Sequence, residues 1–338
     1  MNFCLYPAGA WSTAIAIHLD RLGHTVTLVP YQMEEAMYMT EKRESPFLPG
    51  HKLPERMQIG MELKPALLEA DCCIIGAPSR FLRGVCRSIR AAAEGSAKRL
   101  KNVVLLTKGL EEDSLLLSTQ VAMEELGAQY GVGIRSGPTF ATQVAEGKPS
   151  AIVLAGNYAA DDMRELQEAM SGASLRVYSS DDMSGVCLGG SIKNVYAIAA
   201  GCCDGLDLGD NAKAALLTRS LAEMVRVGLA LGGKMETFFG LSGFGDLVLT
   251  CNGEESRNRT FGESIARGMG IEELLATGKT VEGYRSCESF MQICEQKGID
   301  APILSQVYAL LYKGMKPSDA IAALMSRDLK PEHPTAGR

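Results

Sequence analysis

The residues best suited to chemistry centre on Lys193, which stands inside the run Gly189-Gly190-Ser191-Ile192-Lys193-Asn194-Val195-Tyr196-Ala197-Ile198-Ala199-Ala200-Gly201. At helical spacing Lys193 shares its face with Gly189, Gly190, Tyr196 and Ala197, so no polar stripe carries it to water. Burying an ammonium costs free energy unless a partner compensates, and burial eases loss of its proton. An amine in that condition is what a proton donor and acceptor working near neutral pH requires. The structural alternative is a surface lysine whose stem alone is covered. A carboxylate able to answer the charge occurs in Gly240-Leu241-Ser242-Gly243-Phe244-Gly245-Asp246, read here as a flexible glycine loop. Asp246 either caps the helix that follows or pairs with Lys193.

Three other segments point to a small anionic ligand. Thr107-Lys108-Gly109 follows an apolar strand, which sets Lys108 at the carboxyl edge of a sheet, where open α/β folds bind ligands. Ser136-Gly137-Pro138-Thr139-Phe140-Ala141 follows another strand and offers a bare turn at Gly137 and a hydroxyl at Thr139. In Ser256-Arg257-Asn258-Arg259, Ser256 reads as a helix N-cap with cations in the first turn, where they oppose the helix dipole. An anion there removes the conflict, because arginine forks and free N–H groups both favour phosphate. With 34 basic and 40 acidic residues and a net charge of −6, the chain lacks the basic face of a nucleic-acid binder. The anion is therefore expected on a small metabolite.

The elements that must position these groups fall into two halves. Strands are expected at 3–6, 25–29, 72–77, 103–107, 133–136, 152–155 and 175–178, separated by helices at 12–22, 62–69, 81–94 and 115–126. Such alternation indicates a mostly parallel sheet with helices on both faces. Beyond residue 182 strand signals stop, and helical periodicity runs through 184–200, 211–231, 257–268, 281–297, 303–312 and 316–325. The fold class is thus α/β, a Rossmann-like N-terminal domain over 1–181 followed by an all-helical substrate domain over 182–338.

The first strand, turn and helix open a dinucleotide-binding βαβ unit, but its glycine fingerprint is irregular. Pro7-Ala8-Gly9-Ala10-Trp11-Ser12 keeps only the middle glycine, Gly9, where backbone approaches a pyrophosphate at a helix N-terminus. Pro7 removes a donor, and Ser12 adds a side chain where close helix–strand packing excludes one. The second strand leads into Pro30-Tyr31-Gln32, without the acidic residue that grips a ribose.

The ten cysteines include adjacent pairs and no CxxC, and they read as buried, reduced thiols of a cytoplasmic protein. His18, His24, His51 and His333 lack ligand spacing, so no metal site is expected. No leader-like segment and no apolar run of membrane-spanning length is evident, and the polar tail from Lys330 is expected to fray.

Taken together, these segments resemble the NAD(P)-dependent glycerol-3-phosphate dehydrogenases of the bacterial type. The similarity runs in order through Thr107-Lys108-Gly109-Leu110, Ser136 to Ala141, Gly189 to Val195 and Asn211-Ala212. It continues through Leu216-Leu217-Thr218-Arg219, Gly243 to Cys251, Ser256 to Arg259 and Val281-Glu282-Gly283-Tyr284. The resemblance implies interconversion of sn-glycerol 3-phosphate and dihydroxyacetone phosphate with NAD or NADP, feeding glycerophospholipid synthesis, by a protein often found as a homodimer. By position, Lys193 becomes the proton donor and acceptor, with Asp246, Asn194 and Lys108 assisting. Lys108, Gly137, Thr139, Lys193, Asp246, Ser256, Arg257 and Asn258 surround the substrate. Gly9, Ala10, Trp11, Tyr31, Lys108, Ala141, Arg257 and Glu282 lie along the cofactor. This chain departs from the family at Pro7 and Ser12, where glycines are usual, at Ala10, usually serine, and at Tyr31, commonly basic. A β-hydroxyacid or 6-phosphogluconate-type dehydrogenase also sets a lysine on a helix after a Rossmann domain, but fits the Asp246 and Arg257 segments less well. A non-catalytic sensor of metabolite or nucleotide is the alternative from outside enzymology.

Overall fold

A computed structural model describes residues 1–95, 97, 99–278, 280–329 and 331–332; Lys330 and 333–338, which hold most of the expected fraying tail and His333, lie outside them. The strands are β1 (Asn2–Tyr6), β2 (Thr25–Leu28), β3 (Glu44–Ser45), β4 (Leu48–Lys52), β5 (Gln58–Ile59), β6 (Cys72–Ile75), β7 (Asn102–Leu105), β8 (Gly131–Ser136), β9 (Ser150–Gly156) and β10 (Leu175–Ser180). Eight of them form one sheet in the order β10-β9-β8-β7-β6-β1-β2-β5, while β3 and β4 pair separately as a hairpin. All neighbours in the large sheet run parallel except β8 and β9. In register, Phe3 of β1 lies between Val26 of β2 and Cys72 of β6. Strands β6 and β7 are buried along their whole length, as expected of a parallel sheet covered on both faces by helices.

Chain order reverses at β1, whose neighbours are β2 on one side and β6 on the other. That reversal opens a crevice at the carboxyl ends of β1 and β6, the place where open α/β sheets receive ligands. The helix Ala10–Arg21 begins at this crevice directly after β1.

Helices make up the rest of the chain after Ser180 among the described residues. The longest, Met183–Gly205, is capped by Asp182, whose carboxylate accepts the Gly185 N–H at 2.8 Å. The second oxygen of Asp182 accepts the Lys234 N–H at 2.8 Å and the Thr237 hydroxyl at 2.6 Å, tying the start of this helix to a later one. By length and mean hydropathy (1.3) the helix meets the measure of a membrane span, but Lys193 interrupts it and 94% of its most apolar window is buried inside the molecule. It is a core helix. One apolar cluster runs from Ile75, Leu105 and Ile134 of the sheet into Val186, Ile192 and Val195 of this helix and on to Phe290 and Leu311. The two halves therefore share a core, which fixes the core helix against the sheet edge.

The stretch between β2 and β6 is more structured than expected. A helix Met33–Lys42 starts with a capping box, in which Glu35 accepts the Gln32 N–H at 3.2 Å, and the β3–β4 hairpin follows. The glycine loop before Asp246 is likewise a π-helical turn, Leu241–Gly245, that runs straight into the helix Asp246–Asn252.

Candidate active site

Lys193 occupies the middle of the core helix and is only 6% exposed. Its ammonium donates to Asp246 Oδ1 and, at 2.6 Å, to the Thr250 hydroxyl. Thr250 follows Asp246 by one helical turn, which brings both side chains to the same face. The other carboxylate oxygen, Oδ2, accepts from Lys108 Nζ at 2.7 Å and from the Ser136 hydroxyl at 3.5 Å. Asp246 is thus the pairing partner of Lys193 rather than a cap; the residue at the N-cap position is Gly245.

Close backbone approach makes this cluster possible. Gly190 lies one turn before Lys193, and a Cβ there would meet Ser136 Oγ at 2.5 Å and Lys108 Cδ at 3.3 Å. Lys108 reaches the carboxylate because β7 ends at a fixed point: the Thr107 hydroxyl donates to the Ala77 carbonyl at 2.7 Å across the sheet edge. Contributions from β7, β8, the core helix and the helix Asp246–Asn252 converge on one oxygen pair.

The electrostatics are those of two ammonium groups sharing one buried carboxylate. Burial alone would raise the proton affinity of Asp246, but the Lys108 and Lys193 charges outweigh it and hold the carboxyl below its usual range. Burial pushes Lys108 down to about 7; Asp246 opposes the fall, while Lys193 and Arg135 add to it. The amine poised near neutrality is therefore Lys108, the neighbour of the lysine singled out by periodicity. The two amines face the same carboxylate, and the charge of Lys193 bears directly on Lys108.

A second network adjoins the first. Asn194, next to Lys193, accepts at 3.0 Å from the Asn258 side-chain amide, and Asn258 Oδ1 accepts the Gly283 N–H at 2.9 Å. Ser256 caps the helix Arg257–Ala266 by accepting the Arg259 N–H at 3.3 Å. Arg257 is exposed in its first turn. Burial raises the proton affinity of Glu282, which Arg257 partly offsets, and Glu282 also accepts from Ser79 Oγ at 3.3 Å. Gly137 and Thr139 lie in the turn after β8, and Ala141 begins the helix Ala141–Glu146. Tyr31 stands apart from the lysine cluster, 68% exposed and stacked on Tyr6 with centroids 6.4 Å apart.

Two residues of this region escaped the sequence reading. Thr250 was legible in principle, as the hydroxyl one turn after Asp246. Arg135, on β8, is buried with its guanidinium 4.1 Å from the Trp11 ring centroid and Nη1 donating to Thr139 Oγ1 at 3.0 Å. The signal was a charge closing the apolar strand Val132 to Ser136.

Known proteins carry the same arrangement of halves. Family models described as the N-terminus and the C-terminus of NAD-dependent glycerol-3-phosphate dehydrogenase match residues 4–161 and 182–322. A glycerol-3-phosphate dehydrogenase (NAD(P)+) of Thioalkalivibrio sulfidiphilus is 41% identical over 327 residues, spanning 96% of this chain and 97% of that protein. The chain belongs to the NAD-dependent glycerol-3-phosphate dehydrogenase family. A relative of the same description from Herminiimonas arsenicoxydans is 40% identical, covering 98% of this chain and 99% of its own. The crystal structure of a glycerol-3-phosphate dehydrogenase from Coxiella burnetii superposes with a TM-score of 0.90 at 36% identity, over 96% of this chain and 98% of that one. A ketopantoate reductase of Ralstonia eutropha, at 18% identity and TM-score 0.61, shares the fold alone.

The altered phosphate loop of this family member still fits a dinucleotide. Gly9 is the extended N-cap of the helix Ala10–Arg21, with no side chain closing it and no acidic residue in the first turn. Pro7 contributes as an acceptor: its carbonyl takes the Gly9 N–H at 2.9 Å and the Ser12 hydroxyl at 2.7 Å. Ser12 is accommodated because β6 is followed by Gly76, where any Cβ would overlap the Ser12 hydroxyl. The glycine needed for close packing has moved from the helix to the strand it faces. Nε and Nη2 of Arg135, next to Trp11, are buried without acceptors, which also suits an anionic ligand at this end.

Proposed function

We propose that this protein interconverts sn-glycerol 3-phosphate and dihydroxyacetone phosphate with NAD(P)(H), and that Lys193 is the proton donor and acceptor. The observation that carries the reading is the pair of lysines sharing Asp246 at the junction of a dinucleotide fold and a helical half. When bound, the nicotinamide supplies or accepts the hydride. Lys193 delivers a proton to the oxygen on which charge develops during carbonyl reduction, and retrieves it in the reverse direction. Asp246 and Thr250 hold the amine in place, and Lys108 adds positive charge at the same oxygen. Asn194 braces Asn258, and Ser256, Arg257 and Asn258 grip the phosphate at a helix N-terminus. Binding energy from that non-reacting group places the ketone, with Gly137 and Thr139 completing its surroundings.

The same reading assigns Gly9, Ala10 and Trp11 to the pyrophosphate, Tyr31 to the adenosine end, and Lys108, Ala141, Arg257 and Glu282 to the rest of the cofactor. Residues 1–181 and 182–338 are the two domains, a division supported by the end of β10 at Ser180 and the cap at Asp182. A homodimer working in the cytoplasm to supply glycerophospholipid synthesis belongs to this proposal. The ten free and buried cysteines support a reducing compartment.

Loss of near-ultraviolet cofactor absorbance on adding dihydroxyacetone phosphate tests the reaction. Turnover is expected with that substrate and far less with unphosphorylated dihydroxyacetone. Equal use of both, or preference for a 3-hydroxyacid, contradicts the assignment. NADH is expected to outperform NADPH by about tenfold or more in kcat/KM, by the cost of placing a phosphate dianion near the Glu34 and Glu35 carboxylates. Glu34 and Glu35 lie in the first turn of the helix Met33–Lys42, a few residues beyond β2, and Glu35 accepts the Tyr31 and Gln32 N–H groups at 3.2 Å. Tyr31→Arg should narrow the gap; a wild-type preference for NADPH overturns this part of the proposal.

Lys108→Met provides a further check. In the folded protein Lys108 titrates near 7 rather than 10.5, so the unfolded chain binds more protons between those values. Its burial therefore weakens the fold most at low pH, and the cost fades as pH rises toward the unfolded value. The variant should melt higher than wild type at about pH 6, with a smaller advantage at about pH 9.5. Its kcat should fall by roughly 10²- to 10³-fold.

A further inference from the structure

We infer that Arg135 is a cofactor-positioning cation that compensates for the altered glycine loop by holding the diphosphate of the dinucleotide. The inference rests on the cofactor reading above. Arg135 is the one arginine among the described residues that is buried, at 2% exposure. A cation in that position normally has a carboxylate on it. Among the described residues none hydrogen-bonds Arg135: Nη1 goes to the Thr139 hydroxyl, and Nε and Nη2 have no acceptor. Buried donors left in this way cost free energy, which an added acceptor relieves.

The location says which acceptor. The guanidinium carbon lies over the Trp11 ring, and Trp11 is the second residue of the helix Ala10–Arg21. That helix begins at an uncapped Gly9 with no acidic residue in its first turn, so both the backbone and the nearest buried cation favour a negative group. Side chains alternate along β8, so Ser136 faces the lysine cluster through Asp246 while Arg135 faces the cofactor helix. Through Thr139 the same guanidinium touches the turn assigned to the substrate, and so links the two ligand loops. Asp246 is the carboxylate whose charge Arg135 feels, and that carboxylate is already bonded to two lysines.

Calorimetric titration of Arg135→Met with ADP-ribose and with NADH tests the assignment without relying on turnover. ADP-ribose carries the diphosphate but no nicotinamide. Both ligands are expected to bind roughly 10- to 100-fold more weakly than to wild type, as for loss of a charge-assisted hydrogen bond. The ligand-free variant should melt no lower than wild type, because an apolar side chain replaces an uncompensated buried charge. Unchanged affinity with a lowered melting point would mean a purely structural cation and overturn the inference. Weakening of NADH alone would also overturn it, by placing the contact at the nicotinamide. Should Arg135→Met not fold, Arg135→Lys decides: it keeps the charge, loses the planar fork, and should still bind ADP-ribose several-fold more weakly. Failure of the dehydrogenase reading would appear separately, as absent turnover by a wild type that still binds ADP-ribose.

Discussion

Lys193→Met is expected to lose roughly 10²- to 10⁴-fold in kcat in both directions while binding NADH as the wild type does. Methionine replaces the aliphatic stem within the same packed helix, so the fold should persist. Asp246 still bonds to Lys108 and Ser136, so no buried carboxylate is orphaned. What disappears is the ammonium that donates to Asp246 and Thr250 and is assigned to the substrate oxygen. Since the loss concerns an interaction made in the transition state, kcat should fall far more than KM rises. Steady-state kinetics paired with calorimetric NADH binding checks this, and a variant impaired only in KM speaks against it.

Asp246→Asn should do more damage to the molecule as a whole. The carboxylate is fully buried and answers two ammonium groups, so its removal leaves excess positive charge in the core. Breaking a buried pair in this way typically costs about 3–5 kcal/mol. Part of that cost is avoided if a lysine gives up its proton, and Lys108, already near 7, is the first to do so. The sign follows: without Asp246 the Lys108 amine loses the charge that opposes its fall, so its folded pKa drops further below about 7 and the unfolded chain binds more protons over a wider range. The variant's deficit against wild type should be largest at low pH and narrow as pH rises to about 7. Carbonyl reduction should fall by at least about 10²-fold at neutral pH, because the carboxylate that holds the Lys193 amine in place is gone. Thermal melts across pH test the first statement, and a uniform deficit at all pH values contradicts it.

How much of this was legible in the sequence depends on how local the signal is. The core helix announces itself because a lone lysine interrupts a run of small apolar residues, and Lys193 is buried as that pattern requires. The alternation of short apolar strands with helices placed Lys108 and Thr139 at the sheet edge, where they are found. The helix Met33–Lys42 and its hairpin were missed because a methionine- and glutamate-rich stretch carries little periodicity; Glu35 stabilises its start by capping. The turn Leu241–Gly245 reads as a loose loop from its glycines, yet it packs against Gly189 of the core helix. The compensation of Ser12 by Gly76 was invisible, because the two meet only when β6 lies beside β1. Arg135 carried no signal beyond a charge on an apolar strand, and its burial beside Trp11 depends on contacts distant in sequence. The low proton affinity of Lys108 could not be foreseen either, since it arises from burial and from Lys193, on a distant helix.

The central claim is that a primary amine at position 193 transfers a proton, rather than merely supplying charge. Chemical rescue of Lys193→Ala tests it most directly, by following dihydroxyacetone phosphate reduction as small amines are added. Methylammonium should restore turnover in proportion to its concentration, and tetramethylammonium, equally charged but without a transferable proton, should not. Equal rescue by both ions, or near-wild-type turnover of Lys193→Ala with neither, would contradict the account.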